Sequence, residues 1–393
     1  MCAWKQIGCI LALGALTIGS ALRAQTGDSA AIARLLGRLG AGQVRQDGFY
    51  YAGMFPTLRA WAATPGDVKA DNSIFFTGLV VWTLQGLRPQ LAPAERTLCD
   101  SIIARALEAY PHYRNRSGRP TFNFWPSDRP VFFPNSLVLH HFKDSKQIAD
   151  DLDDTSILWM GEGIPDSTAR RLKALMDAHA GGPARRARST YRAVADLPAY
   201  SAWFGVKTPL ELDAGVLCNV LCFLGGAGLA ADAHDSASVR FLGYVLAQRK
   251  YWNDPAYAST YYPRTPVLIY HFARLLARYP NGLEAYIPAL RADARRALAA
   301  ARDPMDRVIL GTALLRLGDT VDLRPPADPE RDPFLFYIAN IASLFRNPVR
   351  RMFLYSPLCI YHFYCPAYND ALLLEYLVLK RSLAGSRSST PSP

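Results

Sequence analysis

The chain has 393 residues, of which 50% are hydrophobic and 20% are charged, and its formal net charge is +11. This apolar fraction is enough for a large core and excludes disorder as the general state. Long uncharged apolar runs occur only at the N-terminus, so a polytopic membrane protein is also excluded. The 28 prolines and 27 glycines follow no short period, which excludes a collagen-like fibre.

Residues 1–24 have the pattern of a secretory signal peptide. Lys5 precedes an uncharged, mostly apolar segment at 7–22, and Gly19 to Ala21 has the small-x-small form of a cleavage site. The alternative is an uncleaved membrane anchor, for which this segment is short. We therefore expect an exported protein, either periplasmic or secreted.

The positive charge of the remaining chain is scattered. Its densest clusters are RRAR at 185–188 and the pair Arg350 and Arg351. No groove-reading motif accompanies them, so nucleic acid is not an expected partner. The clusters are interpreted as solvated faces or as a mild attraction to anionic surfaces, which would allow peripheral contact with a membrane.

Metal ligands are not indicated by the cysteines and histidines. The five cysteines that follow the predicted signal peptide include no CxxC pair, and the histidines show no HxxxH spacing. The sequence therefore predicts neither a metal site nor a cofactor.

Helical periodicity dominates the chain after the signal peptide, and strand-like alternation is nowhere sustained. Helices are predicted at 30–39, 73–87, 94–110, 154–160, 167–180, 213–224, 236–251, 266–279, 283–301, 305–317, 333–346 and 370–383. Segments that are apolar on nearly all faces tend to alternate with amphipathic ones. The former must be buried on all sides, while the latter cover them from outside.

This alternation predicts an all-α fold of the (α/α)6 toroid type, with six helical hairpins around a central cavity. The toroid would use 25–384 as a single domain, and the polar tail at 385–393 is predicted to be disordered. An open solenoid is the alternative, but such a fold usually shows cleaner repetition.

The segments between the predicted helices are long and rich in aromatic residues. Long ordered loops on a scaffold often carry function, and the alternative is that they cap the mouth of the ring. Candidate pocket-lining residues from these loops are Trp125, Trp203, Tyr261 and Tyr262, each of which could instead be core packing. Asn219, which is polar on an otherwise apolar helix, either faces the cavity or is a satisfied buried amide.

The sharpest local signal is the run from Asp150 to Thr155, which reads DDLDDT directly before an apolar helical segment. Aspartate is favoured at helix N-caps and in first turns, which is the structural interpretation. One cap needs one aspartate, however, and crowded carboxylates raise the pKa values of one another, the more so in an apolar pocket. Crowding therefore also predicts a general acid that holds a proton at neutral pH.

Asp151 to Thr155 resembles the DxDDT form of the DxDD motif of class II terpene cyclases, and QVRQDGFY at 43–50 is loosely similar to the QW repeat of that superfamily. These proteins, with squalene–hopene cyclases and protein prenyltransferases, use toroids of α-hairpins. The resemblance implies that Asp153 protonates an alkene or epoxide, while Asp151 and Asp154 orient and polarise it. It implies proton-initiated cyclisation or isomerisation of a small apolar polyprenyl or triterpene substrate, with no metal or other cofactor.

Two other functions are compatible with an exported toroid. A glycosidase or lyase would stack the Trp and Tyr loops on sugars and use a pair of separated carboxylates. A non-catalytic lipid-binding protein would use a closed apolar cavity without an acid.

Overall fold

The computed structural model describes residues 28–129, 133–135, 148–182, 185–205, 208–324, 326 and 333–388. The predicted signal peptide at 1–24 lies outside the described residues. The predicted tail at 385–393 is described only as far as residue 388, and these first residues continue the last helix.

Helices make up most of the described chain. They are α1 (28–42), α2 (Phe75–Leu87), α3 (Pro93–Glu108), α4 (Leu152–Glu162), α5 (Asp166–His179), α6 (Ala214–Gly226), α7 (Ala233–Ala247), α8 (Lys250–Asn253), α9 (Pro255–Ala258), α10 (Thr265–Leu276), α11 (Ile287–Ala300), α12 (Pro304–Arg316), α13 (Val349–Phe353) and α14 (Pro366–Ser388). Within these bounds, no helix is long and apolar enough to cross a lipid bilayer.

Two kinds of helix alternate along the chain, as the sequence predicts. Helices α2, α4, α6, α10, α12 and α14 are buried on nearly all faces through much of their length. Helix α6, for example, is buried from Ala214 to Leu224. Helix α11 instead buries only the stripe of Leu290, Asp293, Ala294 and Ala297, and α3 and α5 are similarly one-sided. The amphipathic helices therefore cover the apolar ones from outside.

The six buried helices contact one another in a closed circuit. Each packs against the next in chain order, from α2 through α4, α6, α10 and α12 to α14, and α14 packs back against α2. Helix α3 lies against α2, α7 against α6, and α11 against both α10 and α12. Gly78 allows the close contact of α2 with α4, because a Cβ there would lie 3.1 Å from side-chain atoms of Ile157 and Leu158.

A four-stranded antiparallel sheet corrects the prediction of a purely all-α chain. Its strands are β1 (Thr57–Trp61), β2 (Thr64–Asp71), β3 (Tyr337–Asn340) and β4 (Ile360–Tyr364), in the spatial order β2-β1-β4-β3. The helix predicted at 333–346 is wrong, because this segment contains β3 followed by a short 3-10 turn at Ile341–Leu344.

The physical reason for this error is that a short apolar run fits a helix and a strand equally well. Strand β3 is held by β4, where Ile338 pairs with His362, and by a hydrogen bond from the Ile338 N–H to the carbonyl of Tyr261. Strand β2 is mostly exposed and polar, so it carries no alternating apolar pattern. These pairings join segments far apart in sequence, which local periodicity does not report.

Candidate active site

The aspartate run lies where a loop enters helix α4. Asp151 is the N-cap: its backbone is extended, with φ −113° and ψ 161°, and its Oδ1 accepts the Asp154 N–H at 2.7 Å. The residues around this cap are held by the segment that contains Trp203, because the Leu152 N–H donates to the carbonyl of Ala202 and the Phe204 N–H to that of Asp150. Helix capping therefore explains only one of the four carboxylates, that of Asp151.

Asp150 belongs to the scaffold rather than to the cavity. Its Oδ2 accepts from Asn115 Nδ2 and Thr121 Oγ1, both at 2.6 Å, and its Oδ1 accepts from Asn123 Nδ2 at 3.1 Å. These three donors satisfy the carboxylate and fasten the aromatic loop that begins at Thr121 to the start of α4.

Asp153 is 6% exposed and is held by donors from two other elements. Asn219 of α6 donates its Nδ2 to Oδ1 at 2.7 Å, and the Tyr262 hydroxyl donates to Oδ2 at 2.5 Å. Arg274 of α10 donates to Asn219 Oδ1 at 2.6 Å. Since the guanidinium occupies the amide oxygen, the amide nitrogen is the group that faces Asp153.

Tyr262 reaches Asp153 because the second residue of α6 is a glycine. A Cβ at Gly215 would lie 2.2 Å from Cδ2 of the Tyr262 ring, so any larger residue would displace the ring. Asp213, the N-cap of α6, accepts the N–H groups of Gly215 and Val216, the Ser259 hydroxyl at 2.6 Å and the Thr260 N–H at 2.6 Å. Asp213 thus joins the start of α6 to the segment that carries Tyr262.

Burial makes the acid group of Asp153 weak enough to hold a proton near neutral pH. Loss of solvation raises its pKa to about 7, the hydrogen bonds from Tyr262 and Asn219 lower it by stabilising the carboxylate, and the charge of Asp151 raises it. Burial also raises the pKa of Asp154 well above its ordinary value, helped by the charge of Asp151 and by a hydrogen bond to it. Burial raises the pKa of Asp151 as well, to about 6.

Asp151 and Asp153 lie in the wall of a cavity of about 320 Å³, called here the aspartate cavity. Its other lining residues are Phe124, Trp125, Phe133, Ile148, Ala202, Trp203, Thr208, Val216, Tyr261, Tyr337, Ala339, Asn340, Ile341, Ser343 and Leu344. The volume is at the lower end of the range of ligand pockets, about 300–1,000 Å³. Aromatic and aliphatic side chains form most of the wall.

Three of the five residues proposed from the sequence as substrate-binding line this cavity, namely Trp125, Trp203 and Tyr261. The other two, Asn219 and Tyr262, are not among the lining residues and instead hold Asp153. Sequence reasoning thus identified both groups but did not separate the wall from the support of the acid.

The buried side chain of Glu211 fixes the orientation of two rings in the cavity wall, those of Tyr261 and Trp203. Glu211 Oε2 accepts from the Tyr261 hydroxyl at 2.6 Å and from Trp203 Nε1 at 3.1 Å, and its Oε1 lies 2.9 Å from Arg350 NH1. Arg350 and Glu211 are 0% and 1% exposed. The rings are therefore set before any ligand binds, which reduces the entropy lost on binding.

The cavity wall also contains Phe124, Phe133 and Tyr337, which were not predicted from the sequence as site residues. The Tyr337 ring lies 4.3 Å from that of Phe75 at the start of α2, and burial raises the pKa of its hydroxyl well above the ordinary value, with the charge of Asp151 contributing. The aromatic run FLFY at 334–337 was the available signal, but its assignment to a helix concealed which rings share a face.

Among the residues that the structure describes, no three or more His, Cys, Asp or Glu are grouped so that they could hold a metal ion. The oxygens of Asp153 accept from the uncharged donors Asn219 and Tyr262, and Asp151 Oδ1 accepts the Asp154 N–H. No protein-family model matches the chain, and no curated protein or solved structure is significantly similar to it.

Proposed function

We propose that the protein is a Brønsted-acid enzyme of the class II terpene cyclase type, in which Asp153 protonates an alkene of a prenyl substrate in the aspartate cavity. The observation that carries the proposal is a buried carboxyl group with a pKa of about 7 in the wall of an aromatic cavity. An acid in such a place is able to give up a proton at neutral pH to a substrate without polar groups.

The proposal includes an (α/α)6 toroid as the scaffold. The closed circuit of contacts among α2, α4, α6, α10, α12 and α14 supports a ring over an open solenoid, whose two ends would not meet. The amphipathic helices that cover this circuit supply the outer partners of the hairpins. The strands β3 and β4 occupy the connection from α12 to α14, where a sixth outer helix would otherwise lie.

The proposed reaction begins with transfer of the Asp153 proton to one alkene carbon. The π electrons form the new C–H bond, the O–H electrons stay on Asp153, and the other alkene carbon becomes a carbocation. Tyr262 and Asn219 donate to the two oxygens of the resulting carboxylate. Loss of a proton from a neighbouring carbon to a base, before or after ring closure, completes an isomerisation in which no atom is gained or lost.

The cavity wall suits the carbocation that this step produces. The faces of Trp203, Tyr261 and Tyr337 attract a cation by roughly 0.5–2 kcal/mol each and offer no strong nucleophile to trap it. The volume of about 320 Å³ favours a short prenyl chain over a triterpene.

The test is deuterium incorporation from solvent. Wild-type protein is incubated in D₂O with geraniol, farnesol and squalene, and the recovered substrates and products are analysed by mass spectrometry. We expect incorporation into one of the shorter substrates, a loss of about 100-fold or more in Asp153→Asn, and retained activity in the control Asp67→Asn, which removes an exposed carboxylate from β2. Because the acid must be protonated, the rate should fall as the pH rises through about 7.

Two results would contradict the proposal. Full incorporation in Asp153→Asn would show that another group is the acid. Tight binding of these prenyl compounds without any incorporation by the wild type would favour the non-catalytic lipid-binding function, which the same apolar cavity would serve.

A further inference from the structure

A second cavity, of about 430 Å³, lies at the other end of the buried helices. The first turns of α4 and α6 line the aspartate cavity through Asp153 and Val216. The last turns of the same two helices line this second cavity through Trp159 and Gly226. The last turns of α2 and α10 line it as well. Since Arg274, Arg278 and Arg316 are all in its wall, it is called here the arginine cavity.

The acids in this wall do not neutralise the three arginines. Glu375 is 1% exposed and is used internally: its Oε1 accepts from Arg316 Nε at 2.8 Å and its Oε2 from the Tyr270 hydroxyl at 2.6 Å. Asp166 is the other acid of the wall and is exposed at the start of α5. The lining side chains comprise three arginines and two carboxylates, so their formal net charge is +1.

Arg278 is the guanidinium that remains for a ligand. It is exposed and makes no hydrogen bond or ion pair with the residues that the structure describes, whereas Arg274 is buried and donates to Asn219. The Arg278 guanidinium lies over Gly86, where a Cβ would be 3.3 Å from NH2. A free guanidinium fork at a cavity is suited to bidentate binding of a carboxylate or phosphate.

The rest of the wall mixes apolar and polar side chains, with Thr83 and Gln85 among them. Trp82 and Trp159 are 7% and 5% exposed, and the Arg274 guanidinium covers Trp82 at 3.7 Å from the ring centroid. Met160 and Tyr279 are only partly buried. A ligand held by Arg278 would therefore place a nonpolar body beside Met160 and Tyr279.

We propose that the arginine cavity binds a small amphiphilic anion, a carboxylate or phosphate with a short apolar chain. Arginines at helix C-termini are also stabilised by the helix dipole, by about 0.3–1 kcal/mol each. The dipole does not account for an unpaired guanidinium at a cavity lined by aromatic rings. The proposal does not depend on the chemistry of Asp153.

The test is calorimetric titration of the full chain with octanoate, octyl phosphate, inorganic phosphate and the neutral control octanol. We expect one or both amphiphilic anions to bind more tightly than octanol and inorganic phosphate. Arg278→Gln should weaken that binding by at least 10-fold. The matched control Arg240→Gln, which removes one exposed charge from α7 away from both cavities, should leave it unchanged. The preferred head group identifies the class of anion.

Equal binding by the Arg278→Gln and Arg240→Gln variants would overturn the proposal, as would equal binding of octanol and octanoate. Failure of the wild type to bind either amphiphilic anion would overturn it too. Arg278 is exposed, so the variant should keep the far-ultraviolet circular dichroism and thermal midpoint of the wild type, and loss of binding would then report on the site.

Discussion

The aspartate cavity and the arginine cavity lie at opposite ends of α4 and α6, and they have opposite chemistry. The first turn of a helix presents free N–H groups and favours carboxylates, and the last turn presents free carbonyls and favours guanidinium groups. Asp151 and Arg274 follow this rule. Because the buried helices begin at the same end of the bundle, their dipoles favour acidic residues at that end and basic residues at the other. This separation of charge does not require a ligand.

The two ends differ in how a buried acid is satisfied. Glu375 is paired with a guanidinium, whereas Asp153 receives only a phenol and an amide. A carboxyl group that has only uncharged donors in an apolar site holds a proton more readily than one in water. Asn219 connects the two ends, since it donates to Asp153 and accepts from Arg274. A buried carboxyl group is therefore structural at one end and, in the proposed function, the acid at the other.

The largest expected difference comes from removing the charge of Glu375. Glu375→Gln should lower the free energy of unfolding by about 3–5 kcal/mol, because Arg316 then loses its buried counter-charge. Asp153→Asn, the corresponding change in the aspartate cavity, should cost much less at pH 8. Urea unfolding followed by circular dichroism measures both. Equal losses in the two variants would remove the distinction between the two acids.

The next effect is the pH dependence of stability. The pKa of Asp153 is raised to about 7 by burial, so between about pH 4 and 7 the folded chain binds a proton that the unfolded chain does not. This group therefore makes the free energy of unfolding fall as the pH rises through that window, and Asp153→Asn should show a shallower fall. Parallel curves for the two proteins would mean that Asp153 is not the group that titrates there.

A smaller change should follow from removing one donor to Asp153. Tyr262→Phe deletes a hydrogen bond that stabilises the carboxylate, so the pKa of Asp153 should rise above its value in the wild type. The infrared absorption of the protonated carboxyl group, assigned by its loss in Asp153→Asn, gives the titration midpoint. A midpoint that stays in place or falls would show that Tyr262 does not tune this acid.

The smallest expected effect concerns the cap of α4. Asparagine is about as good an N-cap as aspartate, so Asp151→Asn should leave stability within a few tenths of a kcal/mol, whereas Asp151→Ala should cost about 1 kcal/mol. Thermal unfolding of both variants measures the difference. An equal loss in both would mean that the charge of Asp151, and not its capping bond, stabilises the helix.

Local patterns predicted the helical part of the fold well and the sheet not at all. The spacing of charged residues along the sequence predicts the alternation of buried and one-sided helices. With 3.6 residues per turn, charged residues at helical spacing share one exposed face, and a helix without them has no exposed face. Strand β3, in contrast, is an apolar run whose form is decided by pairing with β4. Tyr337 was missed as a cavity residue for this reason.

Two features of this chain can be read from the amino-acid sequence: its buried helices are of two kinds, and its aspartate run exceeds what one helix cap needs. Both depend on residues close together in sequence, because helical periodicity and the crowding of adjacent carboxylates are local. Other features depend on packing between distant segments: which aspartates line the aromatic cavity, the support of Asp153 by Asn219 and Tyr262, and the arginines of α10 and α12 in one cavity. The hydrogen bond from Tyr262 to Asp153 alone joins residues 109 apart in sequence. Burial, which raises the pKa of Asp153, exists only after such segments have packed together.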